Sequence, residues 1–493
     1  MFWVTIVPGA VISRRGFDVP AKEIQLFGLG LHGKSPNVTA NKLTNAYYEF
    51  QTERDRTKVA IYGTPGLTLF LDAGDTPWRG LHVFPGNSLL YGVHRGTFYS
   101  INNAGVTTSR GTIGTTTGRV SICDNGTQVA VVDGSEIYAY DTSAPATPIA
   151  AVADADRPIS PNTCTFQGAR ILTDENNTGK FLGSGNSNVT SWAALDFATA
   201  ESNPDNVVRV ENYRGAVVLF GDLTTEFWQN VGGSGFPYLR VMGADAEYGL
   251  AARWSVGRFM GSLAFLAKNR EGQIFVAMLD GFQARPISNF ELDSIINGYG
   301  TKADATGFGY SLGGHPMYQL NFPTEGKSWL YDGSTNYWSE LESSGSRHRA
   351  EIGVDFLNRT IVSDYSNGKL YIVDPDVYTE NGTEIRTKLV GRHIFDRNMT
   401  FRLDSLELNG EFGVGLATGQ GSDPQIMMRL SKDGGHSFGV EQWRSLGKVG
   451  EYANRARWLG LGMARDIVPE FTITDPVKRV FTTAVMKAEA GHS

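Results

Sequence analysis

Cysteine is nearly missing from this chain, which has only Cys123 and Cys164 among its 493 residues. Two thiols make no disulfide scaffold, and without a cluster of histidines beside them they make no zinc site. Charge is also scarce: Asp, Glu, Lys and Arg make up 19% of the residues. The balance is acidic, with a net charge of −7, so the basic surplus of a general nucleic-acid binder is absent. Long apolar runs are lacking too. The apolar start, Met1 to Val11, has no basic leader and meets Pro8 early. No stretch reaches the roughly 18 residues of a membrane-spanning helix. The expectation is a soluble protein made in a cytoplasm, with no membrane insertion and both thiols reduced.

What the chain does have is glycine, with 59 Gly against 19 Pro, and many β-branched and aromatic residues. That mixture points to short strands joined by tight turns. From about residue 79 to 376 one phrase recurs: an apolar strand, a turn, a second strand, a turn, and a third strand ending in aromatics. The first copy is Leu81–Phe84, Ser88–Val93 and Gly96–Ile101; the second is Val120–Cys123, Gln128–Asp133 and Glu136–Tyr140. First strands begin near residues 81, 119, 164, 207, 253, 306 and 350. A period of about 40–50 residues with three or four strands per unit is the signature of a β-propeller. One small twisted sheet cannot bury both its faces, and a closed ring of like sheets can. The reading is an all-β chain with a propeller of about seven blades, six or eight being compatible with the same spacing.

The widest gap between units holds one helix signal. Ser288-Asn-Phe-Glu291 reads as a capping box, followed by Leu292, Ile295 and Ile296, with Gly298 as the stop. Residues 1–64 lack the repeat and read as an N-terminal arm. Its apolar groups Phe2, Trp3, Val4, Leu26, Phe27 and Leu29 are expected to dock on a neighbouring subunit. Residues 65–384 form the propeller, and residues 385–493 a separate β-rich domain.

Several motifs could carry chemistry. Gly28-Leu-Gly-Leu-His-Gly33-Lys34-Ser35 matches the phosphate-cradling P-loop pattern, and Val129–Asp133 could supply the acid of a metal site. A P-loop must lead into a helix, however, and Pro36-Asn-Val-Thr-Ala-Asn41 has no apolar face at helical spacing. Ser431-Lys-Asp433-Gly-Gly-His-Ser437-Phe438 resembles the Asp-box, a hairpin turn held by its own side chains rather than a catalytic motif. A glycosidase needs two poised carboxylates, and Glu340 and Glu342 beside Trp338 are the pair to consider. The eight histidines show no metal-binding spacing. The stretch 425–466 carries seven Lys and Arg against four Asp and Glu. It reads as a solvated face or as a contact for DNA or an acidic partner.

Three stretches resemble the tail hub or nozzle (packaged-DNA stabilisation) proteins of short-tailed phages. The first is Ser35-Pro-Asn-Val-Thr with Asn45-Ala-Tyr-Tyr-Glu-Phe, running to Ile61–Phe70. The second is Thr190–Asp205, continuing to Thr225–Asn230 and Ala246–Gly249. The third is Ser431–Asp433 with Gly450-Glu-Tyr452, Arg465-Asp466 and Thr474-Asp-Pro476. The resemblance implies a non-enzymatic virion protein forming a ring, expected to be a hexamer, below the portal and adaptor. Such a ring would extend the DNA channel, help retain packaged DNA, and anchor fibres, spikes or a needle. It implies no catalytic, cofactor-binding or metal-ligating residues. The competing readings are a P-loop NTPase of the packaging-motor kind and a propeller glycosidase acting on host polysaccharide.

Overall fold

The computed structural model of the chain describes residues 21–28, 35–50, 59–200, 205–233, 235–244, 246–397 and 399–490. Packing divides the chain into two compact units. One comprises Thr68–Ser328 and Arg347–Val373, the other Met1–Leu67, Trp329–Ser346 and Asp374–Ser493.

The Thr68–Ser328 unit is a propeller. Its sheets start with the strands Trp78–Phe84, Ser121–Asp124, Cys164–Gln167, Val207–Tyr213, Gly257–Phe259, Thr306–Leu312 and Ala350–Phe356. Each first strand pairs antiparallel with the next strand of its own sheet. In the first four sheets the strands follow in simple order outward. Neighbouring sheets are joined near the axis. Val120 N donates to Arg79 O at 3.0 Å, and Gly307 N to Trp254 O at 2.8 Å. Val210 N donates to Thr163 Oγ1 at 3.1 Å, and Arg209 Nη1 to Arg253 O at 3.1 Å. Trp78, Leu90 and Ile101 of the first sheet share a core with Phe356, Ile361 and Leu370 of the last, which closes the ring at seven blades. The repeat period is thus realised blade by blade, each buried between two like sheets.

Crowding at the axis explains some of the glycines. A Cβ on Gly309 would lie 2.0 Å from Arg258 O, and one on Gly307 would lie 2.4 Å from Ser255 O. Only hydrogen side chains let these inner strands approach so closely.

The helix falls where expected, at Phe290–Asn297 with Gly298 as C-cap, and buries Leu292 and Ile296. Its N-cap is Asn289 rather than Ser288: the Asn289 side chain accepts from Leu292 N at 2.9 Å. Ser288 is occupied elsewhere, its hydroxyl accepting from Val276 N at 2.9 Å.

The other unit is a β-sandwich. One sheet runs Ala46–Phe50, Val59–Gly63, Val480–Ala490, Phe401–Gly410 and Ala456–Ala464, with Lys22–Ile24 also on Val480–Ala490. The second includes Lys42–Thr44, Thr387–Val390, Asp466–Ile473, Gln425–Ser431 and Gln442–Ser445 in that order. Lys42–Thr44 also pairs in parallel with Tyr337–Ser343 through Thr44 and Glu340. Leu26 and Phe27 lie in the core between the sheets, each 1% exposed. These two side chains therefore pack within their own chain rather than on a neighbour. Phe2, Trp3, Val4 and Leu29 lie outside the described residues.

Candidate functional site

The inner strands of the propeller surround an axial cavity of about 440 Å³. Its wall includes Gly80, His82, Arg119, Arg209, Trp254 and Phe308. Gly80, His82, Arg209 and Phe308 lie on first strands, whereas Arg119 and Trp254 sit just before the first strands of the second and fifth blades. Two guanidinium groups meet one indole: Arg119 lies 5.2 Å and Arg209 5.7 Å from the Trp254 ring centroid. Each also has a carboxylate. Arg119 donates to Glu351 at 3.3 Å, Arg347 donates to the same Glu351 at 2.6 Å, and Arg209 Nε donates to Glu211 at 3.0 Å. Burial lowers the Arg119 pKa, and the attraction of Glu351 opposes that shift. Across the wall, His82 Nε2 lies 2.6 Å from Asp124.

These contacts tie the second, fourth, fifth and seventh blades to one another. Such cation–π and ion-pair contacts make a rigid plug. Sequence reasoning missed the cluster. Its signal was an arginine or tryptophan beside the first strand of several units, visible only once those strands are known to converge.

The motifs singled out earlier are dispersed. Of the P-loop pattern, Gly28 and Ser35 are described, whereas residues 29–34, including Gly33 and Lys34, lie outside the described residues. The chain after Ser35 makes a single turn, with Val38 N donating to Ser35 O at 3.0 Å. It then enters the strand Lys42–Thr44. No phosphate-binding helix follows. Asp133, the would-be metal acid, accepts at 2.6 Å from the Thr115 hydroxyl and caps its own turn through Ser135 N and Glu136 N.

Glu340 and Glu342 are held by cations. Lys42 Nζ is 2.5 Å from Glu340, and Arg386 donates to both oxygens of Glu342 at 2.6 and 2.9 Å. Carboxylates neutralised in this way make poor general acids or bases.

The Asp-box behaves as a turn. Asp433 accepts from the Ser431 hydroxyl at 2.6 Å, from Ser437 N at 2.9 Å and from the Ser437 hydroxyl at 2.5 Å. Those bonds, Ser431 first, hold its carboxyl well below the usual range. The turn's stabilisation is therefore present at neutral pH and is lost only as pH falls through that depressed value.

Among the described residues no three His, Cys, Asp or Glu side chains converge as a metal site. Cys123 and Cys164 are both buried and free. They share one core cluster between the second and third blades. Burial, reinforced by the neighbouring Cys164 thiol, pushes the Cys123 thiol well up. In the native protein neither thiol is expected to react with an alkylating reagent at pH 8. Unfolding without reductant should release two reactive groups per chain; finding none would show a disulfide.

The chain matches the family model described as the β-propeller of bacteriophage P22 Gp10 over residues 41–378. It matches that of the P22 Gp10 β-sandwich over residues 386–489. The tail hub protein gp10 of Salmonella phage P22 is 24% identical over 281 residues, covering 55% of this chain and 57% of the phage protein. Among solved structures, the WD40 domain of Neurospora crassa Pan2 aligns with a TM-score of 0.41 and 10% identity, over 63% of this chain and 96% of its own. The WD40 propeller of Doa1 aligns at 0.39 and 12%, over 62% and 96%. The propeller model and the sandwich model match in succession over most of its length: this chain belongs to the bacteriophage P22 Gp10 family.

Proposed function

We propose that the chain is a structural subunit of a short-tailed phage tail, forming a hub or nozzle ring through which DNA leaves the head. The observation that carries this reading is the consecutive match of both P22 Gp10 domains across residues 41–378 and 386–489. The axial cavity adds a physical argument. At about 440 Å³, and braced by Arg119, Trp254, Arg209 and Glu351, it has room for small molecules and none for a duplex. A DNA path is therefore expected between copies, around the axis of a ring, rather than through a propeller. A ring of copies each carrying −7 would present a field that keeps DNA from sticking.

In this reading residues 65–384 supply the rigid body and residues 385–493 the second domain. Portal or adaptor proteins lie above the ring, and fibres, spikes or a needle lie below. No catalytic step is assigned. The P-loop and glycosidase readings lose support from the turn after Ser35 and from the cations on Glu340 and Glu342.

The test combines the purified protein with the virus. Mass photometry and electron microscopy of the full chain are expected to show a closed ring, with six copies as the expected number. Particles made without it should package DNA and then lose it, with infectious titre falling by several orders of magnitude. A chain that remains monomeric at every concentration, together with particles that stay infectious without it, would overturn the proposal.

A further inference from the structure

One histidine of the sandwich is held between two acceptors. His393 Nδ1 lies 2.6 Å from Asp466 Oδ2, and His393 Nε2 lies 2.7 Å from the carbonyl oxygen of Pro36. The ring is largely buried, with 12% of its side chain exposed. A carbonyl oxygen only accepts, so Nε2 must carry a hydrogen. The contact with Asp466 needs a second proton, either on Nδ1 or on the carboxyl group itself. Whichever atom holds it, the pair keeps one proton more than a neutral imidazole beside a carboxylate.

The ring stands on a fixed backbone and holds a lighter element. Gly391 N donates to Pro469 O and Arg392 N to Leu26 O, both at 2.8 Å. Ile394 pairs with Ile467 on the strand Asp466–Ile473. Residues 35–40, by contrast, form a turn closed on itself, with Val38 N and Thr39 N donating to Ser35 O at 3.0 and 3.4 Å. Among the described residues, the bond from His393 is this turn's one hydrogen bond to the rest of the sandwich. Asp466 depends on the same ring, since its Oδ1 is buried with no partner among the described residues.

The Asp-box turn closes over this junction through its glycines. A Cβ on Gly435 would lie 3.2 Å from Ala40 Cβ and 3.3 Å from Pro36 Cβ, and one on Gly434 3.7 Å from Asp466 Oδ2. Stretches near residues 36, 393, 434 and 466 thus meet at one point. Few other charges bear on the ring. Asp433 spends its carboxylate on Ser431 and Ser437, and residues 35–40 bring no charged side chain. Arg392 Nε sits 2.5 Å from where a Cβ on Gly28 would stand, Lys432 Nζ 2.8 Å from one on Gly462, and Arg465 is exposed.

We propose that His393 is a proton-dependent latch on the turn of residues 35–40. Carrying its second proton, the ring ties Pro36 to Asp466. When that proton leaves, a lone pair faces an acceptor on one side or the other, and the turn is released. Imidazole is the side chain whose charge changes between about pH 5 and 8. The closed turn holds the proton and the open turn does not require it, so closure is favoured at low pH and lost as pH rises. The turn leads directly into Lys42–Thr44, the strand that pairs with both Thr387–Val390 and Tyr337–Ser343. The inference rests on the sandwich alone and is independent of the ring reading.

Hydrogen exchange of the peptide spanning residues 35–41 tests it on the full chain at about pH 5.5 and about pH 8.5, each corrected for the intrinsic exchange rate at that pH. Wild type should be at least about tenfold more protected at the lower pH, the scale of one charge-assisted hydrogen bond. Asp466→Asn should remove the dependence and leave the turn protected at both pH values. Its amide donates to Nδ1 of a neutral ring while Nε2 still serves Pro36. His393→Phe should leave the turn unprotected at both.

Equal protection of wild type at the two pH values would overturn the latch, as would an Asp466→Asn chain that keeps the wild-type dependence. Parallel loss of protection in Ala216–Gly221 of the propeller would also overturn it, by showing a general loosening. Should His393→Phe fail to fold, wild type and Asp466→Asn decide between these outcomes.

Discussion

Phe27→Ala is expected to destabilise the sandwich by about 3–5 kcal/mol, the usual cost of emptying an aromatic site in a close-packed core. Phe27 is 1% exposed and meets Phe471 edge to face at 6.0 Å between ring centroids. The neighbouring backbone is fixed too, since Arg392 N donates to Leu26 O at 2.8 Å. The loss should be local. Hydrogen exchange of Phe401–Gly410, paired on both sides by Val480–Ala490 and Ala456–Ala464, should quicken, while exchange in Ala216–Gly221 of the propeller stays unchanged. Phe27→Leu should recover much of the loss. A shift below about 1 kcal/mol, against the cost expected for a core aromatic, would show that the segment docks outside its own core, as its lack of a repeat first suggests.

Arg79→Met is the second large effect, at about 3–5 kcal/mol, the range for stranding buried partners. Arg79 is 5% exposed, and its guanidinium fork is fully used. Nε donates to Gly118 O at 2.6 Å, Nη1 to Arg95 O at 2.8 Å and Thr115 O at 2.7 Å, and Nη2 to the Thr115 hydroxyl and Thr117 O, both at 2.7 Å. Methionine fills the volume and leaves four carbonyls with one partner fewer, each worth about 1–3 kcal/mol where water cannot reach. Lysine should rescue little, because three donors on a point charge cannot span the same fork. The readout is thermal unfolding of the full chain, with hydrogen exchange at Val120, whose amide crosses from the second blade to Arg79 O. A stable Arg79→Lys variant would show that charge, rather than the fork, holds this loop.

Legibility followed the range of the forces involved. The expected first strands near 119, 164, 207, 306 and 350 fall within two residues of the observed starts Ser121, Cys164, Val207, Thr306 and Ala350. Alternation of period two and turn glycines are local, so the sequence displays them directly. The fifth blade, expected near 253, instead begins with two short strands, Gly249–Leu250 and Gly257–Phe259. Trp254 between them bridges to Gly307 through its carbonyl and offers its ring to Arg119 and Arg209. Demands from other blades override the local pattern there. The helix cap shifted by one residue for a similar reason, because Ser288 binds Val276 across a non-local gap.

By itself, then, the sequence determined the all-β class, the blade period, the helix at Phe290–Asn297 and the turn chemistry of the Asp-box. These depend on residues a few positions apart. Only the tertiary structure decided that Lys42–Thr44 pairs with Thr387–Val390, that Leu26 and Phe27 belong to a core otherwise built largely from residues beyond 385, and that Arg119, Arg209 and Trp254 meet at the axis. Each of these joins segments tens to hundreds of residues apart. Strand periodicity says which face is buried and is silent on the partner, which is chosen by the fit of shape, charge and hydrogen bonds once the chain has closed on itself.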